Sequence, residues 1–122
     1  MVTSIIGIAL DCRDADALAD FYARLLGWEK TISGGGWAGI HTPQGLILAF
    51  QTVEEYAPPV WPWREGAQQQ MAHMDFKVDD LESSVAHAIA CGARKADVQY
   101  FETSTVMIDP EGHPFCLSTA QQ

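Results

Sequence analysis

The sequence has little positive charge, few cysteines and no long apolar run. Seven lysine and arginine residues stand against sixteen aspartate and glutamate residues, and the formal net charge is −9. A nucleic-acid partner is therefore not expected, because phosphate binding requires clustered cations. A membrane partner is not expected either, since no stretch approaches the roughly 18 consecutive apolar residues of a spanning helix.

The cysteines are too few and too scattered for a disulfide framework or a zinc knuckle. Cys12, Cys91 and Cys116 are odd in number, and none belongs to a CxxC pattern. This usage, with no segment that looks like a secretory leader, favours the reducing cytoplasm. Hydrophobic residues make up 48% of the 122 residues, which is enough for the core of one domain spanning 1–122.

Turn-forming residues repeat along the chain. Residues 42–45 (TPQG) and 109–112 (DPEG) each precede an apolar run, and their prolines and glycines lie 67 positions apart. Proline and glycine at these places are typical of tight turns. Upstream, residues 6–11 and 72–77 both alternate in polarity, which predicts two strands at nearly the same spacing.

A helix is predicted after each of these strands. Asp14 and Asp80 are the expected N-caps, and Gly27 and Gly92 are the expected residues after the last turn. Further strands are predicted at 29–33, 37–41 and the run after residue 45 in the first half, and at 96–101, 105–108 and 114–117 in the second. The chain therefore divides into module one (1–53), a linker (54–69) and module two (70–122).

Two phrases carry a resemblance to a known family. Residues 17–28 (ALADFYARLLGW) and 109–115 (DPEGHPF) resemble the glyoxalase/bleomycin-resistance/dioxygenase, or vicinal oxygen chelate, superfamily, and 48–51 and 58–62 look like its glyoxalase-like subgroup. The resemblance covers essentially the whole chain. It implies an α+β fold of two tandem βαβββ modules forming a curved mixed eight-stranded sheet. It also implies a homodimer, which would cover exposed sheet edges.

The metal site of the superfamily is largely missing from this sequence. Metal-binding relatives place a ligand on the first and last strand of each module, and those positions fall on Gly7, Ala49, His73 and Cys116. No cofactor is therefore expected, and His73 is the residue through which a divalent metal would bind. His73, Asp75 and Cys116 remain an alternative ligand set, although His73 and Asp75 are expected to lie too far apart along one strand to share an ion unless the strand bends.

The period of two in a strand assigns the side chains to faces. His73 and Asp75 should face the concave side with Asp11, whereas Ile6, Ile8 and their counterparts in module two should pack beneath the helices. His73, Asp75 and Cys116 are the candidate catalytic residues. The candidate ligand-binding residues are Asp11, Gln51, Trp37, Trp61 and Trp63.

The aromatic residues of the linker have two interpretations. Residues 56–63 combine three prolines with Tyr56, Trp61 and Trp63, and the prolines stiffen the segment. The aromatics either form a wall that stacks on a ligand or pack as a structural strap or dimer contact. His113, in the second turn, is predicted to lie on the surface.

Three functions follow, and the residues leave open whether the chain is an enzyme. The first is a small-molecule-binding protein or metal-independent enzyme with a pocket in the curved sheet. The second is a lyase or isomerase of the glyoxalase type that depends on a divalent metal. The third is an antibiotic-sequestering protein that resembles the bleomycin-resistance proteins, which the acidic charge permits.

Overall fold

The structure, a computed structural model, describes residues 1–120 and separates into two compact units. The first unit is Met1–Tyr56, and the second begins at Ala57. Residues 121 and 122, the end of predicted module two, lie outside the described residues. Each unit contains a strand, a helix and three further strands in that order, so the α+β fold of two tandem βαβββ modules is confirmed. That the modules make up a single domain stays a prediction.

The first unit holds one helix against a four-stranded sheet. Its elements are β1 Gly7–Cys12, α1 Ala15–Leu26, β2 Lys30–Gly34, β3 Trp37–His41 and β4 Ile47–Thr52. The order across the sheet is β1-β4-β3-β2, with β1 parallel to β4 and the other neighbours antiparallel. The sheet is therefore mixed, and β1 and β2 are its edges.

Helix α1 begins and ends where the sequence predicts. The Asp14 carboxylate accepts a hydrogen bond from the Ala17 amide at 3.1 Å, which satisfies one amide of the first turn. Gly27 ends the helix with φ of 72°, a left-handed conformation that glycine adopts without a steric cost. The helix packs on the sheet through Tyr22, whose ring stacks on that of Phe50 with centroids 5.2 Å apart.

The prediction that Ile6 and Ile8 pack beneath a helix is wrong. The two residues are 74% and 50% exposed, respectively. The physical reason is the position of β1 at the edge of the sheet, because α1 covers the middle strands, where Ile40 and Phe50 are fully buried. Alternation in a sequence predicts two faces, but it does not show which strand lies under the helix.

The second unit repeats the arrangement. Its elements are β5 Met74–Lys77, α2 Leu81–Cys91, β6 Arg94–Lys95, β7 Ser104–Ile108 and β8 Pro114–Ser118. The order across the sheet is β5-β8-β7-β6, with β5 parallel to β8. Asp80 caps α2 by accepting from the Ser83 amide at 2.9 Å, and Gly92 ends it, as predicted. Within the described residues, no helix is long and apolar enough to cross a membrane.

The strand predicted at 96–101 does not form, because a side chain takes its place beside β7. Strand β6 contains only Arg94 and Lys95. Beyond it, the Gln99 carboxamide accepts from the Val106 amide at 2.8 Å and donates to the carbonyls of Val106 and Ala96, both at 2.9 Å. The backbone polar groups of Val106 are thus satisfied without a continuous partner strand.

The DPEG turn is built around a buried carboxylate, and here the prediction of a surface histidine is wrong. Asp109 is 3% exposed and accepts from the amides of Glu111 and His113 at 2.8 and 3.0 Å. Nδ1 of His113 lies 2.8 Å from the same carboxylate, and its side chain is only 13% exposed. Gly112 completes the turn with φ of 97°, so glycine is favoured there.

Candidate functional site

The three candidate catalytic residues lie together in the second unit. Asp75 on β5 is in register with Cys116 on β8, and Nε2 of His73 lies 3.2 Å from Oδ1 of Asp75. One potential ligand atom from each of the three residues lies within 4.8 Å of the others. The expectation that a regular strand holds His73 and Asp75 too far apart to share an ion therefore does not apply. Strand β5 begins only at Met74, so His73 is not held to the spacing of a regular strand.

Cys116 is a protonated thiol near neutral pH. Burial raises its pKa to about 11, and both the hydrogen bond to Asp75 and the negative charge of that carboxylate act in the same direction. A thiol with a raised pKa is a weak nucleophile at neutral pH, because the nucleophile is the thiolate. That Cys116 is catalytic stays a prediction. Sequence reasoning gave the position of Cys116 but not its protonation state.

A cavity of about 210 Å³ adjoins this cluster within the second unit. One part of its lining is apolar or aromatic and consists of Trp61, Tyr100, Phe101, Val106 and Pro114. The other part is polar and consists of Gln70, His73, Asp75, Ser104 and Cys116. These ten residues include no lysine or arginine, so the site offers no fixed positive charge to an anion.

The remaining candidate residues of module one form a row on their own sheet. Asp11 on β1 is in register with Gln51 on β4, and Gln51 is in register with Trp37 on β3. Cross-strand neighbours of this kind present their side chains close together. Trp37 is 44% exposed. That Asp11, Gln51 and Trp37 bind a ligand stays a prediction.

The two linker tryptophans differ in their surroundings. Trp61 lines the cavity and packs against the buried side chains of Ala96, Val106 and Ile108. Trp63 is absent from the cavity lining. Its indole N–H donates to the carbonyl of Ala67 at 2.8 Å, and the residue is 50% exposed. The structure therefore brings Trp61, but not Trp63, to the cluster of His73, Asp75 and Cys116.

Module one has no metal-binding side chain at the positions that correspond to His73, Asp75 and Cys116. The side chain of Ala49 has no atom that could bind a metal. Its partners in register, Ala9 and Gly39, have none either. A Cβ at Gly7 would overlap the carbonyl oxygen of Ile47, so a larger residue does not fit without a shift of the backbone. Any metal on the conventional strands would have to be held by the second module.

The donors of the second module do suit a divalent metal. An imidazole nitrogen, a carboxylate oxygen and a thiol sulfur are all zinc ligands, and three protein ligands with an open position are usual at catalytic sites. His73, Asp75 and Cys116 provide such a set within 4.8 Å. The pKa of Cys116 opposes this use, because a metal would have to displace its proton beside a carboxylate.

Sequence reasoning missed six lining residues, which are Gln70, Tyr100, Phe101, Ser104, Val106 and Pro114. Tyr100 and Phe101 fell inside the predicted strand 96–101, where one of two adjacent aromatics must face away from a core. Both are in fact largely exposed, at 60% and 72%. Two adjacent aromatic residues do not fit the alternation of a half-buried strand, so this pair indicated that the segment is not such a strand.

The match of a family model places the chain in the vicinal oxygen chelate superfamily, and the tandem βαβββ units agree with this class. The model of the glyoxalase-like domain matches residues 7–118, and the chain belongs to that family. No curated protein matches this sequence. Solved structures with 14–20% identity are similar in fold.

Three of these structures cover nearly the whole chain. A glyoxalase/bleomycin resistance protein/dioxygenase family enzyme from Burkholderia phytofirmans PsJN is 19% identical over 94% of this chain and 97% of its own, with a TM-score of 0.70. A glyoxalase family protein from Enterococcus faecalis is 20% identical over 95% and 97%, with a TM-score of 0.69. A fosfomycin resistance protein from Listeria monocytogenes is 14% identical over 99% and 96%, with a TM-score of 0.72.

Proposed function

We propose that the chain binds a small organic molecule in the cavity of its second unit and acts without a metal, as a binding protein or an enzyme. The observation that supports this proposal is that aromatic side chains and the hydrogen-bonded pair of His73 and Asp75 line the same cavity. Pockets that combine apolar walls with a few polar groups are typical ligand sites. The volume of about 210 Å³ is below the roughly 300–1,000 Å³ of drug-sized pockets, so a smaller molecule fits.

The His73–Asp75 pair gives this pocket its chemistry. Asp75 accepts from Nε2 of His73 and thereby orients the ring, which leaves the second nitrogen as a proton acceptor. A ligand that places an acidic proton at that nitrogen can transfer it to His73, and Asp75 then stabilises the imidazolium. A ligand without such a proton is held by the same atoms through hydrogen bonds. Cys116 keeps its proton and donates to Asp75.

A ligand screen with two matched histidine variants tests this proposal. Neutral, cationic and anionic aromatic compounds are screened for an increase in thermal stability, and the affinities of the hits are measured by calorimetry. We expect His73→Gln to weaken binding of polar hits by about tenfold, the usual effect of one lost hydrogen bond. His41→Gln is the control, because His41 lies in the first unit and pairs with Thr31 at 2.6 Å.

The outcomes of the screen separate the possible roles. A hit that is chemically changed on incubation indicates an enzyme, whereas a hit recovered unchanged indicates a binding protein. Retention of cationic aromatic drugs without turnover would favour the antibiotic-sequestering function. The absence of any hit, or equal affinities in both histidine variants, would contradict the proposal.

A metal-dependent lyase or isomerase is the second candidate, favoured by the three ligand atoms within 4.8 Å. His73, Asp75 and Cys116 would hold the ion, which would supply a Lewis acid that polarises a substrate oxygen. Elemental analysis of untagged protein purified without chelator tests this function. Close to one ion per chain, lost in His73→Ala, would support it. Much less than one ion, unchanged after each metal is added and dialysed, would exclude it.

We also propose that the chain forms a homodimer. Ile5 and Ile6, together with Ile8 on edge strand β1, are all at least half exposed. Exposed apolar edges are usually covered in a functional assembly, and a second copy of the chain is the occupant that we propose. Light scattering during gel filtration should give the mass of two chains, and Ile8→Lys should shift it toward one. A monomeric wild-type protein would contradict this assignment.

A cytoplasmic location is part of the same proposal. In residues 1–120 none of the three cysteines forms a disulfide, and Cys12 is buried. Free thiols persist in a reducing compartment, whereas oxidising compartments favour disulfides. Fractionation of the native host, with the chain followed by an antibody, tests this location.

A further inference from the structure

The indole N–H of Trp61 is a buried donor without a partner. In residues 1–120 it is the one buried side-chain nitrogen or oxygen atom that makes no hydrogen bond. Native proteins rarely leave such a group unpaired, because the group loses its bond to water without a replacement. Trp63, two residues away, shows the ordinary situation, since its N–H donates to the carbonyl of Ala67.

The position of Trp61 relates this donor to the cavity. Trp61 belongs to the cavity lining, and its ring is held against a buried apolar cluster that includes Val106 and Ile108. The Tyr100 ring packs perpendicular to it, with centroids 6.0 Å apart. Tyr100 is 60% exposed, so its ring can change position without disturbing the core. A fixed donor therefore lies beside a ring that is able to move.

We infer that Trp61 donates a hydrogen bond to the ligand of this cavity and selects flat molecules that carry an uncharged acceptor, such as a ring nitrogen or a carbonyl oxygen. This inference rests on the proposed binding function. The acceptor is uncharged because the lining provides the carboxylate of Asp75 and no lysine or arginine, so an anion would be repelled. The Tyr100 ring, which packs perpendicular to the Trp61 ring, moves aside when the acceptor enters.

Nuclear magnetic resonance with two probes of the same shape tests the donor. Quinoline and naphthalene are both flat bicyclic molecules, but only quinoline has a ring nitrogen that accepts a hydrogen bond. The chain has four tryptophans, so the indole N–H region contains four cross-peaks, and loss of a peak in Trp61→Phe assigns Trp61. We expect quinoline to move the Trp61 peak downfield. Naphthalene should not, and the Trp63 peak should stay in place with both probes.

Backbone peaks from the cavity separate the failure of this inference from that of the binding function. The amides of Ser104 and Val106, both lining residues, report whether a probe enters. If both probes move these amides and neither moves the Trp61 indole peak, the inference is wrong and the binding function stands. If neither probe moves the amides, both the inference and the pocket for flat ligands are wrong.

Two tryptophan variants give an independent readout. Trp61→Phe keeps an aromatic ring and removes the donor, so the affinity for quinoline should fall about tenfold more than the affinity for naphthalene. Trp63→Phe is the control and should change neither affinity, because Trp63 is absent from the lining. An equal loss of affinity for both probes in Trp61→Phe would show that Trp61 contributes only its surface, which would overturn the inference.

Discussion

Replacing Asp109 by alanine should lower the free energy of unfolding by about 3 kcal/mol, because three donors lose their acceptor in a buried turn. These donors are the amides of Glu111 and His113 and the Nδ1 atom of His113, at 2.8, 3.0 and 2.8 Å, respectively. The carboxylate is fully shielded from solvent, so water does not replace it readily. Urea denaturation followed by tryptophan fluorescence measures the change.

An asparagine at the same position distinguishes the contribution of the hydrogen bonds in the turn from that of the negative charge. Both backbone amides donate to Oδ1 of Asp109, and Asp109→Asn retains one carbonyl oxygen for them. We therefore expect Asp109→Asn to cost only about 1 kcal/mol. Asp97→Ala, at an exposed acidic position, is the control and should stay within about 0.5 kcal/mol of the wild type. Equal losses in the alanine and asparagine variants would show that the amides do not depend on Oδ1.

Replacing Asp75 by asparagine should make Cys116 about tenfold more reactive toward iodoacetamide at pH 8, since a fall of one unit in pKa raises the thiolate fraction tenfold. In the wild type the pKa of Cys116 is about 11, so its alkylation rate should keep increasing as the pH rises toward that value. Asp75→Asn removes the negative charge that opposes the thiolate and leaves the burial in place. The plateau should therefore be reached at a lower pH.

Peptide mass spectrometry follows each cysteine separately in one sample. Cys91 is the internal control, because its alkylation rate should be the same in both proteins, and fully buried Cys12 should remain unmodified. A chelator in the buffer ensures that no bound metal protects the thiol. An unchanged rate for Cys116 in Asp75→Asn would mean that burial alone determines its pKa. A rate in the wild type that levels off near pH 8 would contradict the raised pKa itself.

The sequence was sufficient for the order of the elements and for the ends of the helices. Capping and turn residues act on the backbone within a few positions of themselves, so Asp14, Gly27, Asp80 and Gly92 carry that information locally. The exposure of Ile8 could not be predicted in this way. It depends on β1 being the edge strand, which is a property of the complete sheet.

The candidate site was predictable in its residue types and less so in its geometry. His73, Asp75 and Cys116 were found by counting along two strands, and they do lie together. Their separation was misjudged because the start of β5 at Met74 is not visible in the alternating pattern. Tyr100 and Phe101 were missed for a different reason, since a side chain from Gln99 ends the strand that would have contained them.

The hydrogen bonds of Gln99 have a consequence for how this protein can change over evolutionary time. The Gln99 side chain and the Ala96 amide together supply the partners that Val106 needs, so the residues directly after Gln99 do not form a strand. Substitutions at Tyr100 and Phe101 can therefore accumulate with little penalty to folding, while each one reshapes the mouth of the cavity. Substitution of these two adjacent residues, with Gln99 retained, is therefore a short evolutionary route to a different ligand preference.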